Sequence, residues 1–560
     1  MHKWRRAWLV PTLLIVGAAL ALAACGGEEE EATGTPAATK TPTGATPAAT
    51  STPSGAASRL VIASVTTPPT IDSEYYSGGP QSWEVGANLY DQYFGYEGQS
   101  VTNRGERTID FNKIVGRLIE SADMASDGVT WTLHLRHGVK SCTGTEMTAK
   151  DVKYAFDRAF GLNATGVFLA ATVNLSKADN VRIVDDYTVE IKLDAYSPIF
   201  KQVYTLYYPA IVDSEEVKKH ATTDDPWATK WLATNSAGFG AYCVTEFTAG
   251  QQVVMEANPN YWEGEVPIKE VIYRAVPDAS NRLALLQGGD VDIALVLSPK
   301  QLKSLEGTSG ITIAQQKPGN TFIAVALNVK VKPFDDVKVR QALSYAIPYD
   351  EIVNDVYQGY ATAVDSYLPP NYPGYTGEFW NYTYDLDKAK ELLTEAGYPD
   401  GFDFELTFAE LSPAERDVAL AMQSAFKEIG VNMSINIVSP AVHQQAFVER
   451  TKPAIMYTAN SHIFDGPYTM LIWLGSGPAS YLNAGNYSSQ AYDDLQAQAA
   501  QEKDPEKRLQ ETIDLQKIAV DDAPWLMPAL EDYVVGMRDD IQGFHWMPDD
   551  GLRFYFLSRK

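Results

Sequence analysis

The chain has 560 residues, with 45 basic against 71 acidic side chains and a formal charge of −26. That balance lacks the clustered Lys and Arg a phosphate backbone draws on, which excludes nucleic acid as a partner. Three cysteines and seven histidines in no CxxC or Cys/His cluster exclude a structural zinc site. No GxGxxG, HExxH or GxSxG arrangement occurs, and carboxylates this abundant form pairs by chance, so the residues point to no enzyme, metal or cofactor.

The first element is MHKWRR followed by the apolar run LVPTLLIVGAALALAA, residues 9–24. A basic start, a short apolar core and small residues ahead of a processing point predict an export signal over residues 1–24. The run falls short of the about 20 residues that span a bilayer. LAAC, ending at Cys25, resembles the bacterial lipoprotein processing motif, in which the cysteine becomes the new N-terminus and carries lipid. The resemblance implies that Cys25 anchors the chain to the membrane, each buried CH₂ of acyl chain adding roughly 0.8 kcal/mol. The alternative is a plain signal anchor with an incidental cysteine. Residues 25–58 pass from Glu28–Glu31 into Ala, Thr, Pro, Gly and Ser without one aromatic side chain. They bury too little apolar surface to offset ordering entropy and predict a disordered tether.

The roughly 500 residues that follow are too many for one growing core and predict two lobes. VTWTLHLR (129–136), YTVEIKL (187–193) and QVVMEA (252–257) alternate as strands do. VDIALVL (291–297) and FIAVAL (322–327) are nearly continuous apolar runs, expected for buried strands. Between them lie helices. Thr148 and Asp151 form a capping pair ahead of the face Val152, Ala155, Phe156 and Ala159. DDVKVRQALSYAI repeats that spacing, and DLDKAKELLTEAG repeats it and stops at Gly397. A helix opening at Ser412, Pro413 and Glu415 closes at Gly430, and another spans Pro505 to Asp521. Cys142 and Cys243 are either bridged, as export permits, or two small buried side chains. Mixed strand and helix order without internal repeats predicts α/β lobes.

Six segments in series resemble the large periplasmic substrate-binding proteins of ABC importers that include dipeptide- and oligopeptide-binding proteins. They are WTLHLRHGVKSCTGTEMTAKDVKYAFDR (131–158), DNVRIVDDYTVEIKL (179–193), GFGAYCV (238–244), NRLALLQGGDVDIA (281–294), LNVKVKPFDDVKVRQALSYAI (327–347) and YDLDKAKELLTEAGY (384–398). GFGAYCV resembles the family's Gly-x-Gly-Pro-Tyr, with Ala241 in place of proline. The resemblance implies an α/β, two-lobed fold with a hinge and an extra subdomain in the first lobe. It places the first lobe at 59–315, the second at 316–524, and a C-terminal return to the first lobe at 525–560. It further implies an extracytoplasmic receptor that hands its ligand to ABC permease subunits, without cofactor or catalysis. An exported hydrolase and a purely structural surface protein are the alternatives from other classes.

Peptide-binding members carry a pattern like Trp-x-x-Asp-x-x-Asp-Pro, whose first aspartate pairs with the peptide's free amine. The matching stretch here is TANSHIFDGPYTM, residues 458–470, without the tryptophan. If Pro467 takes the proline position, the amine-pairing position falls on Ile463, which cannot hold an ammonium. Asp465 is then the candidate ligand contact, against the plainer reading of a turn-forming Asp-Gly. In the first lobe NLYDQY (88–93) resembles a cleft-lining segment with Asp91 as its acidic residue. Trp83, Tyr90, Tyr93, Trp473 and Tyr481 are candidate aromatic contacts, able to flank peptide side chains or the apolar faces of sugar rings. A small peptide is the expected ligand, an oligosaccharide the alternative, and a chelated metal a lesser one.

Overall fold

The computed structural model describes residues 58–75, 79–100, 107–477, 479–549 and 551–560. The expected export signal, Cys25 and the tether to residue 57 lie outside them. Among the described residues, one sheet of eleven strands runs through both halves of the body. Two long antiparallel strands, Ile311–Leu327 and Trp525–Arg538, form its middle. On one side Trp525–Arg538 pairs with Ile293–Ala294, which leads to Arg59–Ser64, Glu270–Ala275, Gln252–Ala257 and Tyr242–Thr248. On the other side Ile311–Leu327 pairs with Ala454–Ala459, then Asp403–Phe408 and Asn432–Ile437. The pairing slips between Gln316 and Thr321, opposite Tyr533 and Glu531. The border expected at 315/316 thus falls inside a strand, just ahead of that slip, and no loop separates the lobes there.

Each lobe has its own apolar core. The larger cluster holds Leu60, Ile62, Phe156, Tyr204 and Tyr273 and takes in the C-terminal Trp546, Leu552, Phe554 and Leu557. The other holds Phe322, Leu343, Leu406, Phe426, Trp473 and Trp525. Leu368, Tyr372, Ile463 and Phe464 reach from the second lobe's segments into the first cluster. A separate antiparallel sheet of Ile119–Met124, Thr130–Leu135, Thr188–Lys192 and Val181–Asp185 carries the helix Ala149–Leu162. Thr148 and Asp151 cap that helix reciprocally, and Val152, Ala155, Phe156 and Ala159 are all buried. Cys142 and Cys243 are joined as a disulfide, Cα to Cα 5.9 Å, tying the segment between Thr130–Leu135 and that helix to the strand Tyr242–Thr248.

Two expected elements differ. VDIALVL forms a strand only at Ile293–Ala294, although Leu295 and Leu297 are buried. The cause is Arg282, whose guanidinium takes the carbonyls of Leu295 (2.8 Å) and Val296 (2.6 Å) and so ends the ladder. The helix expected from Ser412 begins at Glu415. Ser412 donates its hydroxyl to Glu531 at 2.9 Å instead of capping. The Glu415 carboxylate reaches back to the Leu411 and Ser412 N–H groups, at 2.6 and 3.0 Å.

Candidate functional site

A cavity of about 160 Å³ lies where the two lobes meet. The first lobe supplies Trp83 from the helix Pro80–Leu89, Thr165, Phe168 and Leu169 from the helix Thr165–Thr172, and Leu206. The second lobe supplies Asn460, Ser461, His462 and Ile463 from the turn after Ala454–Ala459. Tyr468 and Ile472 from the helix Gly466–Leu474, with Tyr481, complete the wall. Rings meet across the gap: Trp83 lies edge-on to His462 with centroids 4.8 Å apart, and Phe168 to Tyr481 at 5.8 Å. Beside the cavity Phe464 is stacked between Phe111 of the first lobe (3.9 Å) and Tyr372 (4.2 Å). These contacts hold the lobes together around an aromatic space.

The turn that carries His462 is fixed at both ends. The Ser461 carbonyl accepts from the Tyr372 hydroxyl at 2.5 Å, and the Ser461 hydroxyl donates to the Ile463 carbonyl at 3.1 Å. Downstream, Asp465 caps the helix Gly466–Leu474, accepting the Tyr468 N–H at 2.8 Å. Pro467 suits the first turn of that helix, where its missing N–H costs nothing.

The sequence-expected residues divide sharply. Tyr481 stands on the cavity wall, 45% exposed. Asp465 does not face the cavity. Besides capping its helix it is held by the Arg508 guanidinium, which forks onto both carboxylate oxygens, with Nη2 to Oδ1 at 2.7 Å. Trp473 is fully buried in the second lobe, packed on Phe322 and Trp525, and its Nε1 reaches the Asn460 carbonyl at 3.4 Å. It shapes the turn from behind.

In the first lobe the NLYDQY residues turn inward. Tyr90 and Tyr93 are buried, donating to the carbonyls of Ile71 (3.1 Å) and Pro209 (2.8 Å). Asp91 forms a bidentate pair with Arg117, at 2.6 and 3.0 Å, and accepts Trp262 Nε1 at 2.8 Å and the Tyr261 hydroxyl at 3.2 Å. Every lone pair of that carboxylate is spoken for within its own lobe. The physical reason is desolvation: a carboxylate only 4% exposed requires a full set of donors.

His462, Phe168, Leu206 and Tyr468 were not singled out from sequence, though His462 sits in the stretch that was. Among the described residues no charged side chain lines the cavity. Burial lowers the His462 pKa, against a weaker upward pull from Asp549. At neutral pH the space therefore presents a neutral imidazole, phenols and amide groups. It can hold an apolar or aromatic group and answer one or two hydrogen bonds.

The model of bacterial extracellular solute-binding proteins, family 5 Middle, matches residues 113–481. A glutathione-binding protein, GsiB, from Pectobacterium atrosepticum is 30% identical over 507 residues, covering 89% of this chain and 93% of its own. Heme-binding protein A of Haemophilus influenzae is 28% identical over 474 residues, covering 81% of this chain and 86% of its own. The crystal structure of a dipeptide-binding protein from Pseudoalteromonas sp. SM9913 in complex with Met-Leu has the same fold. Its TM-score is 0.76 at 24% identity, covering 90% of this chain and 100% of that one.

Proposed function

The chain belongs to the bacterial extracellular solute-binding proteins of family 5, and from that premise we propose that it captures a small peptide between its lobes. Binding a solute for an ABC importer is the family's activity, catalysis is not, and its members work outside the cytoplasm. In this reading lipid on Cys25 holds the protein at the cell membrane, the tether gives it reach, and the closed form is what the permease accepts. The observation that carries the reading is the cavity, whose wall is drawn from both lobes. A solute there bridges surfaces that separate when the lobes open, so its binding free energy biases the molecule toward closure.

The site residues proposed are Trp83, Phe168, His462, Tyr468 and Tyr481. The lobes of this reading are 59–315 with 525–560, and 316–524, hinged on the two long strands. An oligosaccharide is the second reading, favoured by aromatic walls without a facing carboxylate. The test is thermal-shift screening of peptide and sugar libraries, followed by small-angle scattering and product analysis of each hit. A peptide that raises the melting temperature, contracts the molecule and is recovered intact supports the proposal. A neutral sugar acting alone transfers it to the second reading, and turnover of a hit, or no solute-dependent contraction, defeats both.

A further inference from the structure

Among the described residues, three carboxylates tied to the cavity wall are committed elsewhere. Asp465 is forked by Arg508 and caps a helix. Asp549, the acid that acts on His462, is forked by Arg553 at 3.1 and 2.7 Å. Glu74, adjoining the cavity through Thr165, is turned onto the Gly166 N–H at 2.8 Å. An ammonium group entering here would shed its water and meet no anion, which is strongly unfavourable. The His462 ring, by contrast, touches Trp83 and makes no hydrogen bond to the described residues. A neutral imidazole keeps one donor and one acceptor for a ligand. The space, about 160 Å³, is close to that of a protein cavity known to admit benzene (about 150 Å³).

Resting on the solute-capture reading, we infer that the ligand group entering this cavity is an uncharged, ring-sized moiety bearing one hydrogen-bonding atom. His462 is its polar anchor and the specificity-determining residue. For a peptide this means a side chain or a blocked end enters the cavity, and the free α-ammonium stays out. For an oligosaccharide it means a ring with its hydroxyl.

The test uses two isosteric probes, 2-phenylethanol and 2-phenylethylamine, measured by calorimetry at pH 7 on the whole protein. The alcohol is expected to bind at least tenfold more tightly, about 1.4 kcal/mol. His462→Ala should weaken the alcohol about tenfold, while His462→Gln, which keeps a donor and an acceptor, stays within about threefold. The inference is overturned if the amine binds as well as the alcohol, if neither binds, or if His462→Ala leaves the alcohol unchanged. Its failure is separable from that of the broader reading: a library solute that closes the lobes while both probes fail leaves solute capture standing. If no library solute closes the lobes, capture itself falls.

Discussion

Arg508 and Asp465 stand 43 residues apart in sequence and form a bidentate pair that is almost wholly buried, with Asp465 also capping the helix behind the cavity. Removing one partner strands the other charge, which typically costs about 3–5 kcal/mol. Arg508→Ala and Asp465→Ala are both expected to lower the unfolding free energy by that amount, read as a lower urea midpoint. Asp465→Ala should move ligand affinity less than tenfold once the protein is folded. A large affinity loss with unchanged stability would put Asp465 in the site.

Phe464 is expected to latch the closed form. Its stack on Phe111 crosses between the lobes and is worth about 0.5–1.5 kcal/mol beyond area burial, while Tyr372 backs the ring within its own lobe. Phe464→Ala should therefore shift the ligand-free molecule toward the open form in small-angle scattering and weaken any cleft ligand about two- to tenfold. Unaltered scattering and affinity would remove the latch.

Glu415 provides a pH dependence. Burial pushes its carboxyl up to about 7, with Glu531 nearby adding to the rise and the Ser412 and Leu411 N–H groups opposing it. The folded state thus holds a proton that the unfolded state releases near 4.5, and the stability it contributes is lost as pH climbs from about 4.5 to 7. Glu415→Gln keeps an acceptor for those N–H groups and no longer titrates. It should flatten the fall in unfolding free energy across that window by about 1–3 kcal/mol. An unchanged slope would assign the pH dependence to other groups, Glu74 and Glu84 first.

The Cys142–Cys243 bridge closes a loop of 101 residues. Replacing both cysteines by serine should cost about 2–4 kcal/mol, read as a lower denaturation midpoint. Ligand affinity should hold, because neither cysteine lines the cavity.

What the sequence disclosed was whatever depends on near neighbours. The Thr148/Asp151 capping pair, the amphipathic faces and the alternating strands are decided within a turn or two of chain, and the structure has them. The partners of Asp91 and Asp465 were out of reach of a local reading because they are distant: Arg117 lies 26 residues on, Trp262 171, and Arg508 43. A carboxylate committed to an arginine and one free to meet a ligand look the same in one dimension. His462 was hidden for the opposite reason, since the role proposed for it rests on its ring making no hydrogen bond to the described residues and facing Trp83 across the cleft.

The strand Trp525–Arg538 pairs with segments of both lobes, through Ile293–Ala294 on one flank and Ile311–Leu327 on the other. Until a ribosome has passed residue 538, the central sheet of both lobes lacks one of its two middle members. The nascent chain is thereby kept from locking either lobe, and completion becomes one late, shared event instead of two independent ones. A chain cut before Trp525 would forfeit the seam from both halves at once.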